Sequence, residues 1–364
     1  MSGASMGSTA KRRLFALLAL ILFLLSIPVA VSQADTTYRG RGSFVPGGAF
    51  TPGAELVHIG IEPSEIYGID IAQGTWCANF SIWWRWYGDL DPSTTTYFTN
   101  NADATHGQSV KYSYKDSKGK PKPITLSDGD QYQSAFVRMC FIEDFKLERF
   151  PLDTQNLNIK IQNDTYDSNR IVYAFDYDHL SPEQKVPTNG WVSRGIKTDL
   201  LLHRYATDFG NTDDDESIKN FSNLIYSMKI ERPKLHFYLK LFFPLTVILL
   251  STFTALIVRQ VASKAPLAIT STGLLTVIFS QQTYSQELPA HAPAVLIDKI
   301  YIAGLLTVLS AFIRVAVRTR SKHVDAALNE NEKSLYMGRK SDLIFGVALL
   351  TIFALATTFL IVKP

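Results

Sequence analysis

The sequence predicts an all-β sandwich followed by a four-helix transmembrane bundle, and three observations carry that expectation. Between residues 57 and 230, apolar residues recur with period two in short runs separated by Gly, Pro, Asn and Asp clusters, as strands with one buried face require. Beyond residue 236 come four apolar stretches, 237–258, 266–286, 294–317 and 342–362, each near the roughly 20 residues that cross a bilayer core. The second is long enough to span yet is studded with Thr270, Ser271, Thr272, Thr276, Ser280, Gln281, Gln282 and Thr283, which lipid would not tolerate all round. A mean hydropathy of +0.04 therefore averages two unlike halves.

Taken in order, the chain opens with Lys11-Arg12-Arg13, an apolar run from Leu14 to Ile27, and small residues ending at Ser32-Gln33-Ala34. This is the pattern of a secretory signal peptide over 1–34. An extra membrane anchor is the alternative, and the shortness of the run argues against it. Residues 35–55, rich in Gly and Pro, read as a flexible leader, and 56–232 as the β domain. Its clearest strands are Phe80 to Trp86, whose even-numbered members share one face, Leu157 to Ile161, and Leu224 to Ile230. Asp116 to Asp130, with Lys118-Gly119-Lys120-Pro121-Lys122-Pro123, reads as a solvated hairpin loop. The transmembrane domain takes 233–364; Pro244 lies in its first span, where neighbouring helices can satisfy the backbone group it frees.

Charge and composition exclude several functions. Net charge is +3, from 36 basic and 33 acidic residues, with no basic tract interleaved with aromatics in the exported part, so nucleic acid is not an expected partner. The two cysteines, Cys77 and Cys140, lie in strand-like runs and are either one bridge of an exported protein or a pair of buried thiols. Seven histidines are scattered without metal-ligand spacing, and neither Gly-x-Ser-x-Gly nor a phosphate-cradling Gly-rich loop occurs. No enzymatic activity and no resident cofactor are expected; a hydrolase whose triad is assembled only in space is the distant alternative. Arg259 and Lys264, and Arg318, Arg320, Lys322, Lys333, Arg339 and Lys340, mark the cytoplasmic loops, which leaves Glu287 to Asp298 outside. Export of the amino-terminal domain demands the same orientation.

Within the polar span, Ala268, Thr272, Leu275, Phe279, Gln282 and Gln286 follow alternating steps of four and three and so share one helix face. That face is small and polar at first, apolar at Leu275 and Phe279, and amidic at its end. It suggests a pore wall built from several copies; packing against a neighbouring helix of the same chain is the other reading.

Three stretches together resemble the pentameric ligand-gated ion channel family, the Cys-loop receptor superfamily, in its bacterial-type branch. Asp144-Phe145 and Phe150-Pro151-Leu152-Asp153-Thr154-Gln155 resemble the loop between the sixth and seventh strands. Glu231-Arg232-Pro233, Phe237-Tyr238 and Pro244 resemble the approach to the first membrane helix, and Thr272, Leu275, Thr276, Leu288-Pro289 and Ile297-Asp298 the second helix and the linker after it. Their order and spacing match over roughly residues 55 to 362. Where animal receptors close the first of these loops with a disulfide, this chain has Glu143 and Leu157, and the short connection 318–340 leaves no intracellular domain; both resemble bacterial members. Sequons at Asn79, Asn163 and Asn220 would invite glycans in a eukaryote, so a bacterial origin is favoured.

The resemblance implies an extracellular immunoglobulin-like sandwich of about ten strands, a homopentamer, and a multi-pass protein of a plasma or bacterial inner membrane. It implies a ligand- or proton-gated pore with rings of Ala268, Thr272, Leu275, Phe279, Gln282 and Gln286, and Leu275 and Phe279 as a gate that closes by dewetting. Lys264 at the inner mouth and Glu287 at the outer one are the candidate selectivity residues, and Lys264 tips the balance slightly to anions. Coupling is assigned to Asp70, Asp144, Phe150, Pro151, Asp153, Arg232 and Pro289, with Asp153 and Arg232 either a buried ion pair or two solvated charges. The ligand, an amine or protons, would meet Trp83, Tyr166, Tyr205 and Phe209 under a hairpin spanning about 207–219. Asp208, Asp213, Asp214, Asp215 and Glu216 in that hairpin are weak candidates for modulatory Ca²⁺, or simply a solvated tip. A non-conducting, membrane-anchored sensor or binding protein of the same fold is the alternative function.

Overall fold

A computed structural model describes residues 53–102, 108–179, 186–205, 219–257, 265–290, 292–325 and 332–362, all within one compact unit, Thr36–Pro364. The expected signal peptide, most of the leader, Lys264 and the hairpin tip with Asp208, Phe209, Asp213, Asp214, Asp215 and Glu216 lie outside these residues.

Among the described residues ten strands form two sheets. β1 (Glu55–Asp70), β2 (Thr75–Trp86), β4 (Ser109–Tyr112), β5 (Ile124–Thr125), β6 (Gln131–Ile142) and β8 (Ile171–Phe175) make one, in the order β4-β6-β2-β1-β8 with β5 beside β6. β3 (Thr96–Phe98), β7 (Thr154–Asn163), β9 (Val192–Tyr205) and β10 (Lys219–Glu231) make the other, in the order β3-β7-β10-β9. Every pairing is antiparallel except β1 with β8. Period two does the work: Phe80, Ile82, Trp84 and Trp86 of β2 turn inward while Ser81, Trp83 and Arg85 turn out. They join one core with Leu157, Ile159 and Ile161 of β7 and Leu224, Tyr226, Met228 and Ile230 of β10. Each fully buried large apolar side chain stabilises the fold by about 1.5–3 kcal/mol.

Cys77 and Cys140 stand directly opposite one another in the β2/β6 register and are joined as a disulfide. The alternative of two buried thiols is thereby corrected: the register sets the two cysteines opposite one another on neighbouring strands, with their Cα atoms 3.9 Å apart.

A single turn, α1 (Pro92–Thr95), is capped by Asp91, whose carboxylate accepts from the Ser93 N–H at 3.0 Å. After β10 the chain enters α2 (Lys234–His236), widens into a π-helical stretch (Phe237–Phe242) and continues as α3 (Phe243–Ile257). The wider turn ends just before Pro244, where a regular helix would clash with the proline ring. Then follow α4 (Ala265–Ser285), α5 (Leu296–Asp325) and α6 (Glu332–Val362).

Among the described residues three segments are long and apolar enough to cross a membrane: Phe237–Ile257, Leu296–Thr319 and Ser341–Val362. The fourth expected span, α4, has the length, about 31 Å at 1.5 Å per residue, but not the apolar composition. α5 and α6 also extend past the expected 294–317 and 342–362, because charged residues outside an apolar span can prolong a helix without cost to its burial. α6 lies at the periphery, with 17 % of its span buried against 44 % for the first.

Candidate functional site

The α4 face singled out by sequence is the face its own chain leaves uncovered. Ala268, Thr272, Leu275, Phe279, Gln282 and Gln286 are all exposed, Leu275 at 53 % and Phe279 at 60 %. The buried residues are Pro266, Thr270, Gly273, Val277 and Tyr284, which lie on the far side at 100° per residue. Gly273 allows the close approach: a Cβ there would lie 3.1 Å from Thr252 Oγ1 of α3 and 3.4 Å from Val308 of α5. Packing of the polar stripe on a helix of the same chain is thus excluded for the described residues. The exposed hydroxyls need no outside partner: Ser271, Thr276, Thr283 and Ser285 each donate to a carbonyl three or four residues back. At the end of α4, Tyr284 donates to Asp298 Oδ1 at 2.6 Å, and Asp298 Oδ2 accepts from Val295 N–H, so one carboxylate ties α4 to the start of α5. Glu287 is exposed just beyond.

The loop between β6 and β7 forms a junction between the sheets and the helices. Its Glu148 and Phe150 carbonyls accept from the Leu296 and Ile297 N–H groups at 3.1 and 3.2 Å, satisfying donors that the first turn of α5 cannot pair internally. Arg149 donates from Nη2 to the Ile361 carbonyl at 3.0 Å, satisfying an acceptor that the last turn of α6 cannot pair internally. Phe150, followed by a cis bond to Pro151, is 1 % exposed. Arg232, placed by the end of β10, lies between the Phe150 and Trp191 rings, 4.8 and 4.5 Å from their centroids. Its Nε meets Asp153 Oδ1 at 3.2 Å, with the Asp153 side chain 1 % exposed. The pair is buried, and the reading of two solvated charges is overturned. Asp153 Oδ2 accepts from Gln155, which also clamps both backbone groups of Lys146.

Glu143 opens this loop. Its carboxylate accepts from the Asn158 N–H at 3.1 Å and the Asn158 side-chain amide at 2.9 Å, and its own N–H donates to the Gly74 carbonyl in the β1–β2 turn. Burial pushes its pKa above the ordinary 4.5, against the opposing pull of the Asn158 hydrogen bonds and Lys160. Of the other residues expected to couple, Asp70 accepts from Gln73 N–H within its own turn, Asp144 has an exposed side chain without a partner among the described residues, and Pro289 closes a turn with Ala292.

A cavity of about 510 Å³ lies on the outer surface of β2 and β6. Trp83 forms its base and donates to Asp176 Oδ2 at 2.8 Å; His179 Nδ1 lies 2.8 Å from Asp176 Oδ1. The indole can lie flat only because position 60 is glycine, where a Cβ would come within 2.0 Å of the ring. Arg85, also in the wall, is engaged by Asp130 at 2.6 Å and by Asp128, and its hydrogen bond to Asp130 holds its pKa above the ordinary value. Glu62 brings a carboxylate with no partner among the described residues. Tyr166 and Tyr205 do not line this cavity: Tyr166 lies under Arg170, and Tyr205 packs with His203 and Phe221 on the other sheet. Sequence reasoning missed Asp176 and His179, treating the histidine as isolated; their spacing of three on a loop was the available signal.

Among the described residues no group of three or more His, Cys, Asp or Glu is arranged to hold a metal ion. No protein-family model matches the chain, and no curated protein matches it.

Proposed function

We propose that five copies of this chain surround a common axis as a ligand-gated ion channel, with α4 lining the pore and the β domain outside the cell. The observation that carries this reading is the exposure of α4. Its polar stripe faces away from its own helices, on a helix too polar to meet lipid, so water and other copies of the same helix are its natural neighbours. Apolar Leu275 and Phe279 then narrow the pore, and the β6–β7 loop carries movement of the sheets to α5 and α6. Trp83 and its cavity supply one half of a site between subunits; the other half, with Tyr166, Tyr205 and Phe209, comes from the next copy. Glu62 and Asp176 beside the Trp83 ring suit an organic cation such as an amine.

The test is current across planar bilayers holding the purified full chain, scanned over amines and pH. Gated single-channel steps are expected. Silence under every condition, with amine binding retained, would instead make the protein a membrane-anchored sensor.

A further inference from the structure

In the Trp83 cavity one hydrogen-bonded chain leads from the indole to an imidazole at the surface. Trp83 Nε1 donates to Asp176 Oδ2 at 2.8 Å, and His179 Nδ1 lies 2.8 and 3.0 Å from the two Asp176 oxygens. The Asp176 side chain is 7 % exposed and that of His179 56 %. An ionised carboxylate only accepts, so the proton of the neutral imidazole sits on Nδ1 and Nε2 keeps its lone pair. Among the described residues Nε2 meets no partner, and it stands open to a second proton.

The charged groups around this chain have other engagements. Arg85 of β2 is held by Asp130 at 2.6 Å and by Asp128. On β9, where Tyr177 meets Thr198, Lys197 and Asp199 pair with one another at 2.8 Å. Glu62 of β1 and Tyr132 of β6 line the cavity, and Asp178 is exposed beside His179 in sequence. His58 of β1 is a second imidazole on this face, but it stands opposite Arg85 and does not line the cavity. Carboxylic acids ordinarily titrate below pH 5 and phenols near 10. Among the described lining residues, His179 is therefore the one of a type that changes charge between pH 5 and 8.

We infer that Asp176 and His179 are positioning residues that orient and charge the Trp83 ring for an ammonium ion, and that a proton on His179 competes with that ion. With His179 neutral, the carboxylate holds the indole N–H and pushes electron density into the ring, whose face meets the cation. With His179 protonated, its positive charge offsets that of Asp176 and repels a cation at the ring. Binding therefore releases a proton in this range, and acid weakens the ligand. The inference rests on the reading of this cavity as an amine site, and not on conduction.

The test is calorimetric titration of the full chain in lipid nanodiscs. The probes are choline, whose charge is the same at every pH, and its uncharged isostere 3,3-dimethylbutan-1-ol. The parent is expected to bind choline about tenfold more weakly at pH 5.5 than at pH 8, the effect of one like charge a few ångströms away in a partly solvated site. The alcohol should bind equally at both. His179→Gln should abolish the step in choline affinity. His179→Lys, positive throughout, should bind choline weakly at both pH values, which keeps the test decisive if the glutamine variant fails to fold. A step that survives in His179→Gln would place the proton elsewhere, at His58 first, and overturn the inference. So would an alcohol that weakens in acid alongside choline, since the acid effect would then be structural. Choline that binds without a step refutes this inference alone. Choline that binds with the step but opens no current refutes only the channel, and absence of choline binding at every pH refutes the amine site and this inference together.

Discussion

At Arg232 a single guanidinium is held by a carboxylate on one side and by two aromatic rings on its faces. Asp153→Ala removes the charge and leaves Arg232 buried and uncompensated, a loss of about 3–5 kcal/mol. The expected result is a lower unfolding temperature and no agonist current; normal currents would refute the junction. Glu143 makes the second prediction. Its folded pKa is raised, so the folded state holds a proton that the unfolded chain gives up, and stability falls as pH rises from about 4.5 through the raised value. Glu143→Gln keeps an oxygen for Asn158 without the buried charge. The variant should be the more stable at neutral pH, with the gap in melting temperature closing on acidification through that window; a gap independent of pH would sink the assignment.

At the scale of elements, the role proposed for α4 depends on what the helix does not touch. Leu275 and Phe279 give it one apolar band on a wettable face. Leu275→Thr should wet that band and let current leak without agonist, measured as raised resting conductance; an unchanged resting state would move the gate elsewhere. This face was legible in the sequence because a stripe is periodic, and so were β2, β7 and β10, whose alternation specifies which residues turn inward. The cavity was only half legible. Trp83 stands out on its strand, but Asp176 lies 93 residues away, and no periodicity links residues on separate elements. Glu143 with Asn158, and Arg314 with Asp342, escaped for the same reason. The ion pair of Asp153 and Arg232 was foreseen through the family resemblance of its two flanking motifs.

For the whole molecule, the proposed assembly of five copies would decide what a single chain leaves open. Lys264, outside the described residues, would put five like charges around the inner mouth, and such a ring favours anions. Under a salt gradient, Lys264→Glu should shift the reversal potential toward cations; no shift would leave selectivity to Glu287. The peripheral helix α6 has a consequence of its own. It is fastened near one end by Arg314 and Arg318 to Asp342 and at the other by Arg149 to the Ile361 carbonyl, and little of the length between is buried. It resembles a string tied at both ends and slack along its middle. A bilayer thicker or thinner than the string's apolar length must load the two knots, because mismatch acts along the whole span. One knot belongs to the β6–β7 loop, so in the proposed arrangement a bilayer mismatched to the span would load that loop through the backbone of α6 itself.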